Sequence, residues 1–172
     1  MTTKNKIEGK KTGKDSTQAV TSTSNESINQ TATEAGSSVE THIVLIDGKA
    51  AKLSTKKRGF VTFILAKCIG TDELELKITG NDSGGLYSKR YVNLISILKI
   101  LDVQVPDKPF KSSVFKSAFH GSSSNNPSFL AAILRSKDIN LIVSTEKSQY
   151  LHMIPNNYES VREQLLAKAL AK

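Results

Sequence analysis

The sequence predicts an α+β protein with an antiparallel sheet. A β-branched run, residues 43–46, leads into Asp47-Gly48, the dipeptide that a two-residue hairpin turn prefers. Apolar and charged residues alternate over residues 74–78, which is typical of a half-buried strand. Helical apolar spacing recurs later in the chain, but strands and helices do not alternate strictly as they do in parallel folds. These observations together favour hairpins packed with helices.

The first 41 residues differ in composition from the rest. Residues 1–41 are rich in Ser, Thr and Lys, contain no aromatic residue, and balance five lysines with five acidic residues. Such a segment buries too little apolar surface to offset chain entropy, so we predict a disordered arm. Residues 42–172 are then predicted to form a single α+β domain, which carries the whole formal net charge of +8.

The domain is predicted to begin with a hairpin and a helix. Residues 43–46 and 49–53 would be the two strands, and Ser54 or Thr55 would cap a helix that runs to Cys68. The apolar residues of this helix share one face: Phe60, Phe63, Ile64 and Cys68. The single cysteine is interpreted as a small buried apolar side chain.

Positive charge is concentrated in this segment and in a second one. Lys56, Lys57 and Arg58 fall in the first turn of the predicted helix, where the positive end of the helix dipole disfavours cations. A bound anion would explain this placement. Alternatively, the helix begins near Gly59 and the three residues lie in a solvated loop. The candidate polyanion-binding residues are Lys49, Lys52, Lys56, Lys57, Arg58, Lys108, Lys111 and Lys116.

A second helix is predicted over residues 88–101, with Ser88 as its cap. Its core stripe would be Tyr91, Ile95, Leu98 and Leu101. A short helix is predicted around Phe115, and Asn126 with Pro127 is expected to start another.

The end of the chain is predicted to hold a second hairpin and a closing helix. Residues 139–144 and 149–154 would form the hairpin. Asn157 would cap a helix that turns one apolar face to the core: Tyr158, Val161, Leu165 and Ala169.

The sequence predicts neither an enzyme nor a metal or cofactor site. His42, His120 and His152 do not stand at metal-ligand spacing from one another or from Cys68. His152 is expected to pack within a strand. No nucleophile elbow or similar catalytic signature occurs. The acidic residues between positions 72 and 82 are explained by one exposed strand face.

The charge instead predicts a binding protein. A folded domain with this positive surplus attracts nucleic acid, ribonucleoprotein or an anionic membrane. The alternative is that the lysines only keep the protein soluble. No apolar run approaches the ~18–20 residues of a membrane span, and the N-terminus lacks the apolar core of a secretory signal. Membrane contact is therefore predicted to be peripheral.

The order of the elements resembles the matrix proteins of rhabdoviruses, most nearly the small ones of plant-infecting members. The matching parts are residues 43–53 with 60–68, 74–78 with 91–101, and 139–154 with 161–170. The resemblance implies a non-enzymatic protein that condenses ribonucleoprotein, self-associates as a homo-oligomer and binds the inner face of a membrane, in the virion and the host cytoplasm. The arm lacks a PPxY-type budding motif, and the chain is short for animal-infecting members.

Two other functions fit the pattern. In a winged-helix DNA-binding protein of the cytoplasm or nucleus, residues 139–154 would be the wing. The helix over 127–135 would then present Ser128, Ala132 and Arg135 to the major groove. That helix is mostly apolar, which leaves few side chains to read base edges. The third option is an accessory domain that binds another protein.

Overall fold

Two antiparallel sheets form the framework of the residues that the structure, a computed structural model, describes: 41–54, 58–119 and 123–170. The predicted α+β class is confirmed. The predicted arm, residues 1–41, lies outside the described residues apart from Thr41. In the described part of the chain, no helix has both the length and the apolar character needed to cross a membrane.

The larger sheet has four strands in chain order, each antiparallel to the next. Its strands are β1 (His42–Ala51), β2 (Phe60–Cys68), β3 (Leu74–Asn81) and β4 (Val92–Asn93). The predicted strand over residues 74–78 is confirmed as part of β3.

The predicted first hairpin is wrong, because β1 runs straight through Asp47 and Gly48. Gly48 lies opposite Phe63 of β2 in the strand register. A Cβ atom on Gly48 would overlap the end of the Phe63 ring. The glycine is therefore explained by the close approach of an aromatic ring and not by a turn.

The predicted helix that ends at Cys68 is also wrong, because its second half is strand β2. Val61, Phe63 and Leu65 are fully buried and alternate with less buried residues, which is the period of a strand. β2 lies between β1 and β3 and is apolar along most of its length. A continuous apolar run of this kind cannot be distinguished from a helix by periodicity alone.

The smaller sheet pairs segments that are distant in the chain. Its strands are β5 (Phe110–Lys111), β6 (Val143–Ser144) and β7 (Leu151–Met153), in the order β5-β7-β6. β6 and β7 are antiparallel neighbours, which confirms the predicted second hairpin with shorter strands.

The helices are α1 (Leu94–Asp102), a 3-10 helix (Ser112–Ala118), α2 (Asn126–Leu134) and α3 (Tyr158–Ala167). α1 begins later than predicted. Its cap is Asn93 and not Ser88, because the Asn93 side chain accepts a hydrogen bond from the Ser96 N–H at 3.2 Å. The predicted stripe is corrected accordingly, since Tyr91 precedes the helix and Ile95 is exposed. The residues of α1 that are buried are Leu94, Ile97, Leu98 and Leu101.

α2 lies at the centre of the packing. It contacts β1, β2 and the 3-10 helix, and most of its residues are buried. Phe63 of β2 and Phe115 of the 3-10 helix are the largest fully buried side chains. Because α2 packs across the sheet, its C-terminal end lies beside the C-terminal end of β1. This arrangement positions the site described next.

Candidate functional site

Three adjoining cavities form one groove on the surface. The first and second share Lys52 and Leu53 in their walls, and the second and third share Ser112 and Tyr150. Their volumes are about 440, 420 and 500 Å³. Among the described residues that line them, none is a carboxylate, and five carry positive charge: Lys49, Lys52, Lys111, Arg135 and Lys137. We call this feature the basic groove.

The first cavity is the most cationic. Lys49 enters it from β1, while Arg135 and Lys137 enter it from the end of α2. The Lys49 Nζ lies 4.2 Å from the centre of the Phe60 ring, across the β1–β2 pairing. A cation over an aromatic face is stabilised by about 0.5–1 kcal/mol at an exposed site. Lys49 is thereby held at the cavity wall while its charge stays available.

Arg135 caps the C-terminal end of α2 and is half-buried. One guanidinium nitrogen, Nη2, donates to the backbone carbonyl of Leu151 at 2.8 Å. Its Nε and the Ser136 hydroxyl are buried and have no hydrogen-bond partner in the described part of the chain. Burial lowers the pKa of Arg135, although a guanidinium remains protonated at neutral pH. The cavity wall therefore includes a guanidinium whose partner in the described part of the chain is a backbone carbonyl and not a carboxylate.

Lys52 has a different role from the other cations of the groove. Its Nζ donates to Asp82 Oδ1 and to the Ser83 hydroxyl, each at 2.7 Å, and its side chain is only 10% exposed. The hydrogen bond from Lys52, followed by one from the Phe60 N–H, lowers the pKa of Asp82. Lys52 thus joins the end of β1 to the loop after β3, and its charge is largely neutralised.

The second and third cavities alternate aromatic and polar groups. Phe129 of α2 and Tyr150 line the second, and Lys111 lines the third beside Tyr150. The Tyr150 side chain is among the exposed large apolar groups, at 52%. It follows a turn in which the Thr145 hydroxyl accepts from the Ser148 N–H and donates to the Ser148 carbonyl. The groove therefore has an accessible aromatic face between its cationic ends.

A serine–histidine pair lies at the junction of these cavities. The Ser112 Oγ is 2.8 Å from His152 Nε2, and His152 is fully buried in β7, as predicted. Burial, and then the charge of Arg135, lowers the pKa of His152 to about 4. Nδ1 has no partner among the described residues. No acid among the described residues orients His152 as in a hydrolase triad, and the pair instead joins the start of the 3-10 helix to β7.

The structure brings together three of the eight predicted polyanion-binding residues, Lys49, Lys52 and Lys111. Lys108, Lys116 and Arg58 are exposed but line none of the three cavities. The remaining two, Lys56 and Lys57, lie outside the described residues. The prediction that a helix begins at this run of basic residues is wrong, because Arg58 precedes strand β2.

Arg135 and Lys137 were not predicted to be neighbours of Lys49. They are far from Lys49 in the chain, and only the packing of α2 against β1 makes them neighbours. The recognition-helix role considered for α2 is not supported, because Ala132 is 2% exposed and the helix is packed into the core.

The groove must be interpreted from its own chemistry. No family model matches this sequence, and no curated protein or solved structure matches it either.

Proposed function

We propose that this protein binds single-stranded nucleic acid along the basic groove and holds it without catalysing a reaction. One observation carries the proposal: four cationic side chains without a carboxylate partner among the described residues line the groove, and none of its described lining residues is a carboxylate. A phosphate backbone is strongly attracted to such a surface, because each neutralised phosphate releases condensed counterions.

The aromatic residues of the groove favour nucleic acid over other polyanions. Phe60, Phe129 and Tyr150 lie among the cations. Bases stack on aromatic faces with about 1–3 kcal/mol per base, and this interaction tolerates any sequence. A lipid headgroup has no flat surface to stack. A single strand is also a better fit than a duplex, whose bases are already stacked on each other.

The first cavity is the strongest candidate for a phosphate subsite. Three cations without a carboxylate partner among the described residues line its wall: Lys49, Arg135 and Lys137. Hydrogen bonds from a charged donor to a phosphate oxygen are short and about twice as strong as neutral ones.

The matrix-type assembly role extends this proposal to two further partners. The groove would contact the nucleic acid of a ribonucleoprotein. Binding to an anionic membrane and to a second copy of the chain are predictions that rest on the resemblance to rhabdovirus matrix proteins. Lys108 and Lys116 are exposed outside the groove and are among the cations that would remain available to a membrane surface.

The test is fluorescence anisotropy of a labelled single-stranded oligonucleotide across a salt series. Four cations of the groove lack a carboxylate partner among the described residues: Lys49, Lys111, Arg135 and Lys137. We expect log Kd to rise with log salt with a slope of about 3, since each phosphate contact to a single strand contributes about 0.7. The double substitution Lys49→Glu, Lys137→Glu should weaken binding at least tenfold at low salt and reduce the slope by about 1.4.

The matched control is Lys108→Glu, Lys116→Glu, which changes the net charge by the same amount outside the groove. It should alter the affinity by less than about threefold. Equal losses in both double variants would mean that only net charge matters, and no loss in the groove variant would place binding elsewhere. Either result contradicts the proposal.

A third measurement distinguishes nucleic acid from lipid as the ligand. Tyr150→Ala should weaken oligonucleotide binding about tenfold without changing the salt slope, because it removes stacking and not charge. Vesicles containing phosphatidylserine are tested in parallel by co-sedimentation. Vesicle binding without oligonucleotide binding would favour the membrane hypothesis and overturn this one.

A further inference from the structure

A second cluster of chemically reactive side chains lies on the larger sheet, outside the basic groove. His42 of β1 pairs directly with Cys68 of β2, and Glu75 of β3 pairs with Ala66, two residues before Cys68. Side chains two positions apart in a strand share a face, so all three point to the same side of the sheet. One imidazole nitrogen, the Cys68 Sγ and one Glu75 carboxylate oxygen lie within 4.8 Å of one another.

The surroundings of His42 fix the direction of its ring. Nε2 is 2.7 Å from Glu75 Oε2, and Nδ1 is 2.7 Å from the Thr41 hydroxyl. The ring also stacks on Tyr91, with centroids 3.8 Å apart and an angle of 3° between the planes. A histidine that ligates a metal usually has its second nitrogen held by a hydrogen bond of this kind.

Cys68 lies directly opposite His42 in the strand pairing, and a cysteine binds a metal as its thiolate. Cys68 is half-exposed in a strand, which corrects its interpretation as a buried apolar side chain in a helix.

A nucleophilic role fits the cluster less well than metal binding. A catalytic histidine must take the thiol proton on one ring nitrogen while an acid orients the other. Here a hydroxyl, that of Thr41, and not an acid contacts Nδ1, so no acid would orient the ring if Nε2 took the thiol proton.

We propose that His42, Cys68 and Glu75 bind a divalent transition metal of the zinc class through Nε2, Sγ and a carboxylate oxygen. One nitrogen, one sulfur and one oxygen form a donor set that Zn²⁺ accepts, and three protein ligands leave the fourth position to water. Zinc–ligand bonds of about 2.0–2.3 Å place tetrahedral ligand atoms about 3.3–3.8 Å apart. This spacing lies between the 2.7 Å of the His42–Glu75 contact and the 4.8 Å limit of the cluster, so small side-chain movements form the site.

The site was not visible in the sequence. His42, Cys68 and Glu75 do not follow any ligand spacing, and the prediction of no metal site rested on that fact. The strand register is what brings them together. The proposal does not depend on nucleic-acid binding by the groove.

The test uses the reduced, metal-free full chain with Zn²⁺ or Co²⁺ as the probe. Because the chain has one cysteine, any thiol signal reports Cys68 alone. We expect Co²⁺ to give a thiolate-to-metal charge-transfer band that Cys68→Ser abolishes. We expect Zn²⁺, but not Mg²⁺, to protect the thiol from alkylation. His42→Gln and Glu75→Gln should each weaken Zn²⁺ binding about tenfold or more, while Glu163→Gln on α3 should leave it unchanged.

Two results would overturn the proposal. If His42→Gln and Glu75→Gln bind Zn²⁺ as tightly as the natural chain, the metal contacts the thiol alone. If Zn²⁺ gives no protection in the natural chain, no site exists. The protection assay on the natural chain decides the second point even where a variant fails to fold.

Discussion

Two clefts of similar size place an arginine in opposite electrostatic settings. The first cavity of the basic groove, about 440 Å³, contains Arg135 and no carboxylate among its described lining residues. The cleft between α1 and α3, about 370 Å³, contains Arg162. Arg162 Nη2 lies 3.7 Å from Asp102 Oδ2, and its Nη1 lies 4.0 Å from Glu159 Oε2.

The difference shows that the two arginines are used differently: Arg162 is paired inside the protein, whereas Arg135 has no carboxylate partner among the described residues. In the α1–α3 cleft, Asp102 accepts a hydrogen bond from the buried Tyr158 hydroxyl at 2.7 Å and also faces Arg162. Those charges are used inside the protein and hold α3 against the end of α1. Arg135 has only a backbone carbonyl as its partner in the described part of the chain. Local charge balance is therefore more informative than the net charge of +8 about where a polyanion binds.

The largest expected effect is a fall in the free energy of unfolding at low pH, caused by His152, which is buried beneath the groove. The pKa of His152 is lowered to about 4 in the folded chain, from an ordinary value of 6.5. The unfolded chain therefore binds a proton first as the pH falls, and the folded state loses stability. We expect the free energy of unfolding to fall by about 2 kcal/mol between about pH 6.5 and about pH 4.5. Urea unfolding across this range measures the loss.

The control for this prediction is His152→Gln, which keeps an acceptor for the Ser112 hydroxyl. Its stability should change much less with pH in the same window, whatever its absolute value. The carboxyl of Asp82 does not obscure the result, because its lowered pKa makes it contribute only below its ordinary value of 3.8. An equal slope in both chains would show that His152 is not buried as described.

The α1–α3 cleft should lose its contribution to folding stability at high pH instead of low pH. Burial, and then the hydrogen bond to Asp102, raises the pKa of Tyr158 above its ordinary value of 10.0. A group whose pKa is raised by folding stabilises the protein below its unfolded pKa, and this contribution is lost as the pH rises towards the folded pKa. Low pH is thus expected to remove the stabilising contribution of His152, whereas high pH is expected to remove that of Tyr158.

The next effect in size is the removal of Asp102. Asp102→Ala leaves the Tyr158 hydroxyl and Arg162 without their shared acceptor, so we expect a loss of about 1.5 kcal/mol in the free energy of unfolding. Oligonucleotide affinity should stay within about twofold, since the cleft and the groove have no lining residue in common. Denaturant unfolding and anisotropy on the same sample measure both quantities. A strong loss of affinity would mean that the balanced cleft also takes part in binding.

Short-range sequence patterns were sufficient to predict the elements whose structure depends mainly on their own residues. The alternation in β3, the Asn126-Pro127 start of α2 and the pairing of β6 with β7 were all predicted from short-range signals. β2 was not, because a central strand is apolar on both faces and resembles a helix in sequence.

The candidate site was less predictable than the fold, since it depends on contacts between distant segments. Lys49 was identified by its charge, but its neighbours Arg135 and Lys137 come from α2. Lys52 has the same charge as Lys49, yet Asp82 neutralises it. No pattern within the β1 segment reveals that difference, because Asp82 follows β3 and meets Lys52 only when the sheet forms.

The smallest expected effect is on the pKa of His152 when Arg135 is neutralised. The charge of Arg135 is the second cause, after burial, of the lowered pKa. Arg135→Gln should therefore raise the pKa of His152 by a fraction of a unit, about 0.5, because burial still favours the neutral ring. Titration of the imidazole resonances by NMR measures the shift, and Lys99→Gln on α1 serves as the control of equal charge.

Measuring this small shift in the His152 pKa tests whether another group neutralises the charge of Arg135. If an unseen carboxylate or a bound counter-ion neutralised the guanidinium, its removal would leave the His152 pKa where it is. A rise in the His152 pKa of the natural chain when oligonucleotide is added would be the stronger result. Phosphate at Arg135 would then raise the same pKa that the substitution raises, since both cancel one positive charge beside the buried ring. The histidine would thereby report from inside the protein on occupancy of the groove.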